Sequence, residues 1–374
     1  MISSREACII FNMISGIGFV KFNALSNFFG SPEAALQASV EELMMVHGVG
    51  EQLSRRIFAW PEQVDWRGET GRAEQGGVKI ITLFDEHFPA VLRELPDPPL
   101  CLYVAGKLPN FDRMDTIGVV GSRRASSYGR RMARLLSTQA VAAGWGTVSG
   151  LAYGIDYEAH DATVKSGGIT VAVLGGGLGN IQPQDHVPLA RSIIQSGGAV
   201  ITEFPMMFPV SRTSFPRRNR IIAGLSRGVI VVEAGVDSGA MITANLANDY
   251  GKTVFAVPGA VENPQSAGCH FLIKHGEARL TESFQDVMEE FNPALEQDTF
   301  NFAESKEEYQ AVSQVKLDAA EQKIVDFLHE KGESSYDELA LAIEFDSGIL
   351  AGKLIGLEMK MLVRQNPGRR YSLR

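Results

Sequence analysis

Cysteine is scarce. Cys8, Cys101 and Cys269 are an odd number set far apart in 374 residues, which leaves neither a disulfide framework nor paired zinc-ligand spacing. Long hydrophobic runs are missing too. No stretch of about 18 uncharged apolar residues occurs, so a membrane-spanning helix is not expected. The opening MISSREACIIFNMISG lacks the basic start and cleavage pattern of a signal peptide, and the expected address is the cytoplasm. The seven histidines never pair at helical spacing with a suitable second ligand, so no metal site is expected. Net positive charge is absent: at −9 the chain is no protein that coats nucleic acid through overall attraction. Any anion site must be local.

What is there is ordinary in bulk and uneven in detail. A hydrophobic share of 45% and a charged share of 21% suit a globular chain long enough for two or three domains. The arginines are clumped. Arg123, Arg124, Arg130, Arg131 and Arg134 fall between Gly121 and Leu135 with no acid among them, and Arg212, Arg217, Arg218 and Arg220 fall between Ser211 and Ser226, again with none.

Six short apolar runs follow one another from residue 116, in TIGVVGS, AGWGTVSG, ITVAVLGGG, GAVITEF, GVIVVEAG and KTVFAVPG. Most are separated by a helix-length segment, which predicts an α/β fold with a parallel, Rossmann-like sheet covered on both faces. Ligands of such a sheet sit outside the carboxyl ends of the strands. Residues 1–75 look helical and carry an apolar-x-Gly-apolar-Gly pattern twice, ISGIG at 14–18 and VHGVG at 46–50. This fits a helix-hairpin-helix (SAM-like) unit offering backbone amides to a phosphate, or plain turns of a small bundle. Residues 76–290 read as the extended Rossmann-like core, opening over 76–110 with a Pro-rich lead-in of short strand-like pieces. Residues 291–316 read as an acidic linker, and 317–374, with three helix-like segments and two short strand candidates around Asn366, Pro367 and Gly368, outline a winged helix. Winged helices serve both DNA and protein contacts.

Several catalytic patterns fail. YGKT at 250–253 has Leu246 where the first P-loop glycine belongs and is followed by a strand. GGGLGN at 175–180 has Asn180 in place of the third glycine of a dinucleotide fingerprint. Ser149 in VSGLAYG is not a nucleophile elbow, and Asp156 with His160 reads as a helix start with a packed histidine one turn on. What remains is a set of anion-holding loops: Gly121-Ser122-Arg123-Arg124 after the first core strand, Ser149-Gly150 after the second, and Ser238-Gly239 with Thr243 after Glu233. Small residues let backbone amides approach phosphates and helix N-termini add partial positive charge. Arg123, Arg212, Arg218 and Arg220 supply guanidinium faces and Phe215 a stacking surface, the chemistry of a groove for single-stranded nucleic acid.

The ordered motifs VVGSRRASSYG (119–129), SGLAYGIDYEAH (149–160), VAVLGGGL (171–178), FPRRNRIIAGLS (215–226), VVEAGVDSGAMITA (231–244) and AVPG (256–259) resemble the signature of the DNA-processing protein A (DprA, or Smf) family along the whole chain. The resemblance implies a protein without enzymatic activity or cofactor that binds incoming single-stranded DNA during natural transformation. It implies a homodimer that counters the single-strand-binding protein and loads the RecA recombinase. It places DNA contacts at Gly121, Ser122 and Arg123, at Phe215, Arg218, Asn219 and Arg220, and at Arg212 just before them. It puts the dimer contact in GCHFLIKHGEARL (268–280), including Phe271, Leu272 and Ile273. The chain departs from the family after GGGL, where Gly179, Gln182-Pro183 and His186 stand in place of an acid, Tyr-Pro and a downstream Asn, and at His270, which replaces an Asn. The 178–186 loop is therefore left outside the expected contacts. Two other readings stay open. One is a hydrolase releasing a base from nucleoside monophosphates, with Glu233 and Arg220 as its pair, although its Pro-Gly-Gly-x-Gly-Thr run is missing. The other is a winged-helix regulator with a nucleotide-sensing core.

Overall fold

Valine, isoleucine and small residues make the apolar runs into strands buried on both faces, as parallel strands under helices must be. In the computed structural model, which describes residues 2–292, 317–343, 347–359, 362–366 and 370–373, the six runs are strands β3 (Thr116–Val120), β4 (Gly146–Ser149), β5 (Thr170–Val173), β6 (Ala199–Thr202), β7 (Gly228–Val231) and β8 (Thr253–Ala256). With β1 (Val78–Thr82), β2 (Cys101–Gly106) and β9 (Arg279–Leu280) they form one nine-stranded, mostly parallel sheet in the order β1-β2-β6-β5-β4-β3-β7-β8-β9. The strand-like pieces of the lead-in extend the sheet, β2 antiparallel to β6 and β1 antiparallel to β2. A two-residue β9 (Arg279–Leu280) closes the other edge. Strand order reverses at β3, with β4, β5 and β6 on one side and β7 and β8 on the other. The β3–β7 boundary is thus the topological switch point, where open α/β sheets leave a crevice.

Helices cross between the parallel strands. Ser127–Ala142 follows β3, Ile155–Lys165 follows β4, Ser214–Leu225 follows β6 and Gly239–Asp249 follows β7. Their apolar faces build two cores, one on each side of the sheet. The helices before Gln75 share a third core with the sheet, in which Cys8, Phe11 and Leu43 join Cys101, Tyr103 and Leu174. Polar contacts tie the same parts together. Asn12 Nδ2 donates to the Glu203 carbonyl at 3.0 Å, and Glu69 Oε1 accepts from the Met206 amide at 2.6 Å. One compact unit accordingly runs Met1–Pro293.

The two glycine motifs near the N-terminus share one geometry. Gly16 and Gly48 take positive φ (92° and 82°), which side chains disfavour, and Gly18 and Gly50 start the helices Phe19–Phe29 and Glu51–Phe58 without a side-chain cap.

The second unit, Ala294–Arg374, has helices Ala319–Lys331, Tyr336–Ile343 and Ser347–Met359 and an antiparallel sheet of β10 (Ser334–Ser335), β12 (Arg370–Leu373) and β11 (Val363–Asn366). Its own core holds Ile324, Leu328, Leu339, Leu350, Leu354 and Leu357. The expected linker lies outside the described residues from 293 on, as do Pro367 and Gly368.

Candidate nucleic-acid interface

The crevice at the switch point holds a cavity of about 570 Å³, bordered by Gly121–Arg124 beyond β3, by Gly235–Ala240 beyond β7, and by Phe215, Arg218 and Asn219 from the helix after β6. A smaller cleft of about 190 Å³ adjoins it and shares Arg123, Ala152 and Phe215 with it. The shared wall is a cation–π pair, the Arg123 guanidinium lying 4.4 Å from the Phe215 ring centre. This pairing pre-orients a charge and a flat ring side by side.

The loop after β3 is held rigidly. The Ser122 amide donates to the Glu233 carbonyl at 2.6 Å, and the Ser122 hydroxyl donates to Gln265 Oε1 at 2.7 Å. Glu233 itself, nearly fully buried, accepts from the Ser126 amide at 2.7 Å and from Asn263 Nδ2 at 3.0 Å. Its carboxylate is spent on the start of helix Ser127–Ala142 and does not line the cavity. The hydrolase reading, which needs that carboxylate beside a substrate, is not favoured.

The arginines divide sharply. Arg123, Arg124, Arg131 and Arg212 are exposed and form no ion pair with a described residue. Arg130 and Arg134 are held by Glu158, at 3.2 and 2.6 Å. Arg217 reaches Glu203 at 3.3 Å and covers the Phe204 ring. Arg220 also ends on Glu203, at 2.5 Å, with Asp97 beside it. With its side chain only 10% exposed, Arg220 is an anchor between the helix after β6 and the end of that strand, and lines neither cleft. The free cation expected there is absent because Glu203, 3% exposed, needs a partner to stay ionised inside the fold.

Arg218 does line the cavity, but as a strut. Its Nη1 donates to the carbonyls of Gly150 and Val173 and its Nε to Asn219 Oδ1 at 3.1 Å. Burial brings its pKa down to about 10, opposed by nearby Asp156. Burial likewise raises the Asp156 carboxyl, and Arg218 opposes that shift. Asn219 Nδ2 donates to the Gly239 carbonyl at 3.1 Å, tying this helix to the start of Gly239–Asp249. Gly150 must lack a side chain, since a Cβ would lie 1.9 Å from Arg218 Nη1. Ser149 is fully buried and donates to the Val119 carbonyl at 2.6 Å, so its hydroxyl braces β3 against β4 instead of facing a ligand. Ser238 caps its helix by accepting from the Ala240 amide, and Gly239 beside it opens onto free space.

The structure therefore brings Gly121, Ser122, Arg123, Phe215, Arg218, Asn219, Ser238 and Gly239 around one cavity and Gly150 to the second cleft. Arg212 lies outside both, on the exposed loop before Ser214. Arg124, from the expected anion-holding loop, also lines the cavity, and residues not anticipated contribute as well: Asp156 and Gln265 to the cavity, Tyr153, Asn180 and Gln182 to the cleft. Tyr153 sits between glycine and a small residue just past a strand end, a placement that marks an exposed aromatic. The 178–186 loop, set aside on the sequence, forms one wall of the cleft. In the helix Ala267–Lys274, Phe271 is 42% exposed and stacks on His275, whereas Leu272 is wholly buried among core residues and presents nothing to a partner. Ile273 is half-buried. Among the described residues no group of three or more His, Cys, Asp or Glu side chains could hold a metal ion, and no helix is long and apolar enough to cross a membrane.

Comparison with known proteins agrees with this architecture. The profile of the DNA recombination-mediator protein A family matches residues 79–292. Protein Smf of Escherichia coli K12 is 44% identical over 216 residues, covering 58% of this chain and 57% of that one, so the match spans just over half of that relative's length. The crystal structure of DNA processing protein A from Streptococcus pneumoniae superposes with a TM-score of 0.65 at 31% identity, over 77% of this chain and 97% of that one. DNA processing protein A from Helicobacter pylori, whose structure concerns its single-stranded DNA binding mode, superposes with a TM-score of 0.51 at 29% identity, over 59% and 97%. Sheet, motifs and matched span agree, and the chain belongs to the DNA recombination-mediator protein A family.

Proposed function

We propose that this protein binds single-stranded DNA without regard to sequence and acts as a recombination mediator. The observation that carries the reading is the pair of guanidiniums without a carboxylate partner, Arg123 and Arg124, on a braced loop at the switch-point cavity, with the Phe215 ring against Arg123 and the start of helix Gly239–Asp249 lining the same cavity. Free cations, bare amides and a half-buried ring at the rim attract a flexible polyanion and stack its bases without reading them. Glu233, the carboxylate that the hydrolase reading needs, is committed to the loop, which favours a role in binding over one in catalysis. The H. pylori relative's single-stranded DNA binding supports the ligand class.

The finer roles rest on the family. As a mediator, the protein would hand its strand to the RecA recombinase, past the single-strand-binding protein, in the cytoplasm during natural transformation or general recombination. It would do so as a homodimer built on the helix carrying Phe271 and Ile273, with Leu272 serving that helix's packing. The N-terminal glycine motifs suit a helix-hairpin-helix unit. The order of helices and hairpin in 317–374 suits a winged helix, with 291–316 as its linker.

Anisotropy titrations of a labelled oligonucleotide at two salt concentrations test the ligand. Binding should weaken with salt, log K falling by about 0.7 per phosphate neutralised against log salt, and Arg123→Ala should weaken it alike for every sequence. Unaltered affinity in Arg123→Ala would move the site elsewhere.

A further inference from the structure

The nine-stranded sheet ends in two edge strands, and an edge strand with unpaired backbone groups is a template for another chain. At one edge β9 is only two residues long, too short to invite pairing. At the other stands β1, five residues from Val78 to Thr82. A groove of about 360 Å³ runs beside it, lined also by Arg5, Asp85 and, from the helix Trp66–Gln75, Thr70, Ala73 and Glu74.

The register decides which backbone groups face outward. The Leu83 amide donates to the Leu100 carbonyl at 3.1 Å, and Ile81 and Lys79 stand opposite Leu102 and Val104 of β2. Antiparallel ladders alternate, so Leu83, Ile81 and Lys79 turn their groups to β2 while Thr82, Ile80 and Val78 turn theirs away from it. Side chains meet these outward groups. Arg5 Nη2, from the helix Ser4–Met13, donates to the Ile80 carbonyl at 2.6 Å. Asp85 Oδ2 accepts from the Thr82 amide at 2.6 Å and from its hydroxyl at 3.0 Å, and the Asp85 amide donates to the Thr82 carbonyl at 2.9 Å. The two side chains then join, Arg5 Nε lying 3.3 Å from Asp85 Oδ2. With the Arg5 side chain 47% exposed, an ion pair of this kind adds little stability. Its seat on the strand's backbone calls for another reason.

We infer that Arg5 and Asp85 close this edge to strand addition, and that the partner they turn away is a second copy of the chain, β1 laid antiparallel against β1. The strand is complementary to itself. Centred on Ile80, such a pairing sets Lys79 against Ile81 and Val78 against Thr82, so no like charges meet. It joins two sheets about a twofold axis, the isologous contact of a closed dimer. Its hydrogen bonds are exchanged between Ile80 and Ile80 and between Val78 and Thr82. Arg5 occupies the first of these positions and Asp85 the second, so the two side chains block different rungs of one ladder.

Size exclusion with light scattering on the full chain, on Arg5→Ala and on the double variant Arg5→Ala/Asp85→Ala gives the test. At high concentration the double variant should reach about twice the mass of the parent at the same concentration, with Arg5→Ala moving toward it, and dilution should return both to the parent's mass. Hydrogen exchange over residues 78–82 should slow about tenfold in the associated form. Lys79→Ala, which leaves both covering side chains in place, should match the parent. A folded double variant that keeps the parent's mass overturns the inference, and if the double variant does not fold, Arg5→Ala at the parent's mass overturns it. A doubled mass without slowed exchange over 78–82 also overturns it, because the contact would then lie on another surface.

Discussion

Arg218 and Arg220 leave one helix two residues apart, and the surroundings each enters decide what it does. Arg220 meets a buried carboxylate, and its removal would leave Glu203, among the described residues, with the half-exposed Arg217 as its one ion-pair partner. Breaking a buried pair in this way costs about 3 kcal/mol. Arg123 pairs with no carboxylate and only covers a ring. Urea denaturation should therefore show Arg220→Ala destabilised by about 2–3 kcal/mol and Arg123→Ala within about 0.5 kcal/mol of the parent, although the sequence offers the two as equals. A stable Arg220→Ala that still lost DNA affinity would restore the residue to the interface. His160 makes a second case. Its Nδ1 lies 2.7 Å from the Thr170 hydroxyl, its Nε2 is buried without a partner, and burial, with nearby Arg218 adding to it, takes its pKa from 6.5 down to about 3. Between those values the unfolded chain binds a proton that the folded chain refuses. The residue's contribution to stability is complete above pH 6.5 and is lost as pH falls toward 3, at up to about 1.4 kcal/mol per pH unit. In His160→Gln the stability difference between pH 7 and pH 4, measured by chemical denaturation at each pH, should shrink. An unchanged difference would assign the acid sensitivity to other groups.

Strands and helices were legible to different depths. The six runs from β3 to β8 announce themselves because a strand buried on both faces needs continuous apolar residues, and those of β3, β4, β5 and β7 lead into small residues that line the crevice. β1 and β2 do not. Val78–Thr82 alternates buried and more exposed positions, and its antiparallel place beside β2, itself beside β6, depends on partners far along the chain. The same distance hid the arginine partners: Glu158 answers Arg130 and Arg134, and Asp97 answers Arg220, across gaps that no local pattern spans. The glycines of the site were visible as glycines but not as two kinds. Gly150 is required by Arg218, while Gly239 faces open space at the first turn of its helix, with a backbone any residue can adopt. A residue kept small where nothing crowds it makes sense if a ligand approaches. Gly239→Ala should stabilise the fold by about 0.5 kcal/mol, through the lower entropy of the unfolded chain, and should weaken single-strand binding several-fold. Greater stability with full affinity would show that the helix start stands clear of the strand.

Charge is arranged on the scale of the whole molecule so that attraction is confined to one place. A chain at −9 repels a polyanion at long range, and the arginines that could offset this are largely neutralised by Glu158 and Glu203. Of the two arginine clusters, Arg123 and Arg124 stay free of carboxylates at the cavity, with Arg131 and Arg212 exposed elsewhere on the same unit. Such a surface favours close, geometrically guided contact over general adhesion, and duplex DNA, whose bases are stacked within and whose backbone is stiff, has nothing to offer Phe215. Every residue assigned to the interface lies within Met1–Pro293, which has its own cores and is separate from the unit Ala294–Arg374 with a core of its own. A chain ended after residue 293 should therefore fold cooperatively, bind an oligonucleotide within about twofold of the full protein, and keep the same salt slope, since the slope counts phosphates neutralised by arginines the truncation leaves in place. A fall in slope would mean that residues 294–374 contribute cations to the bound strand. A fall in affinity at constant slope would mean that they act on the interface without touching phosphate.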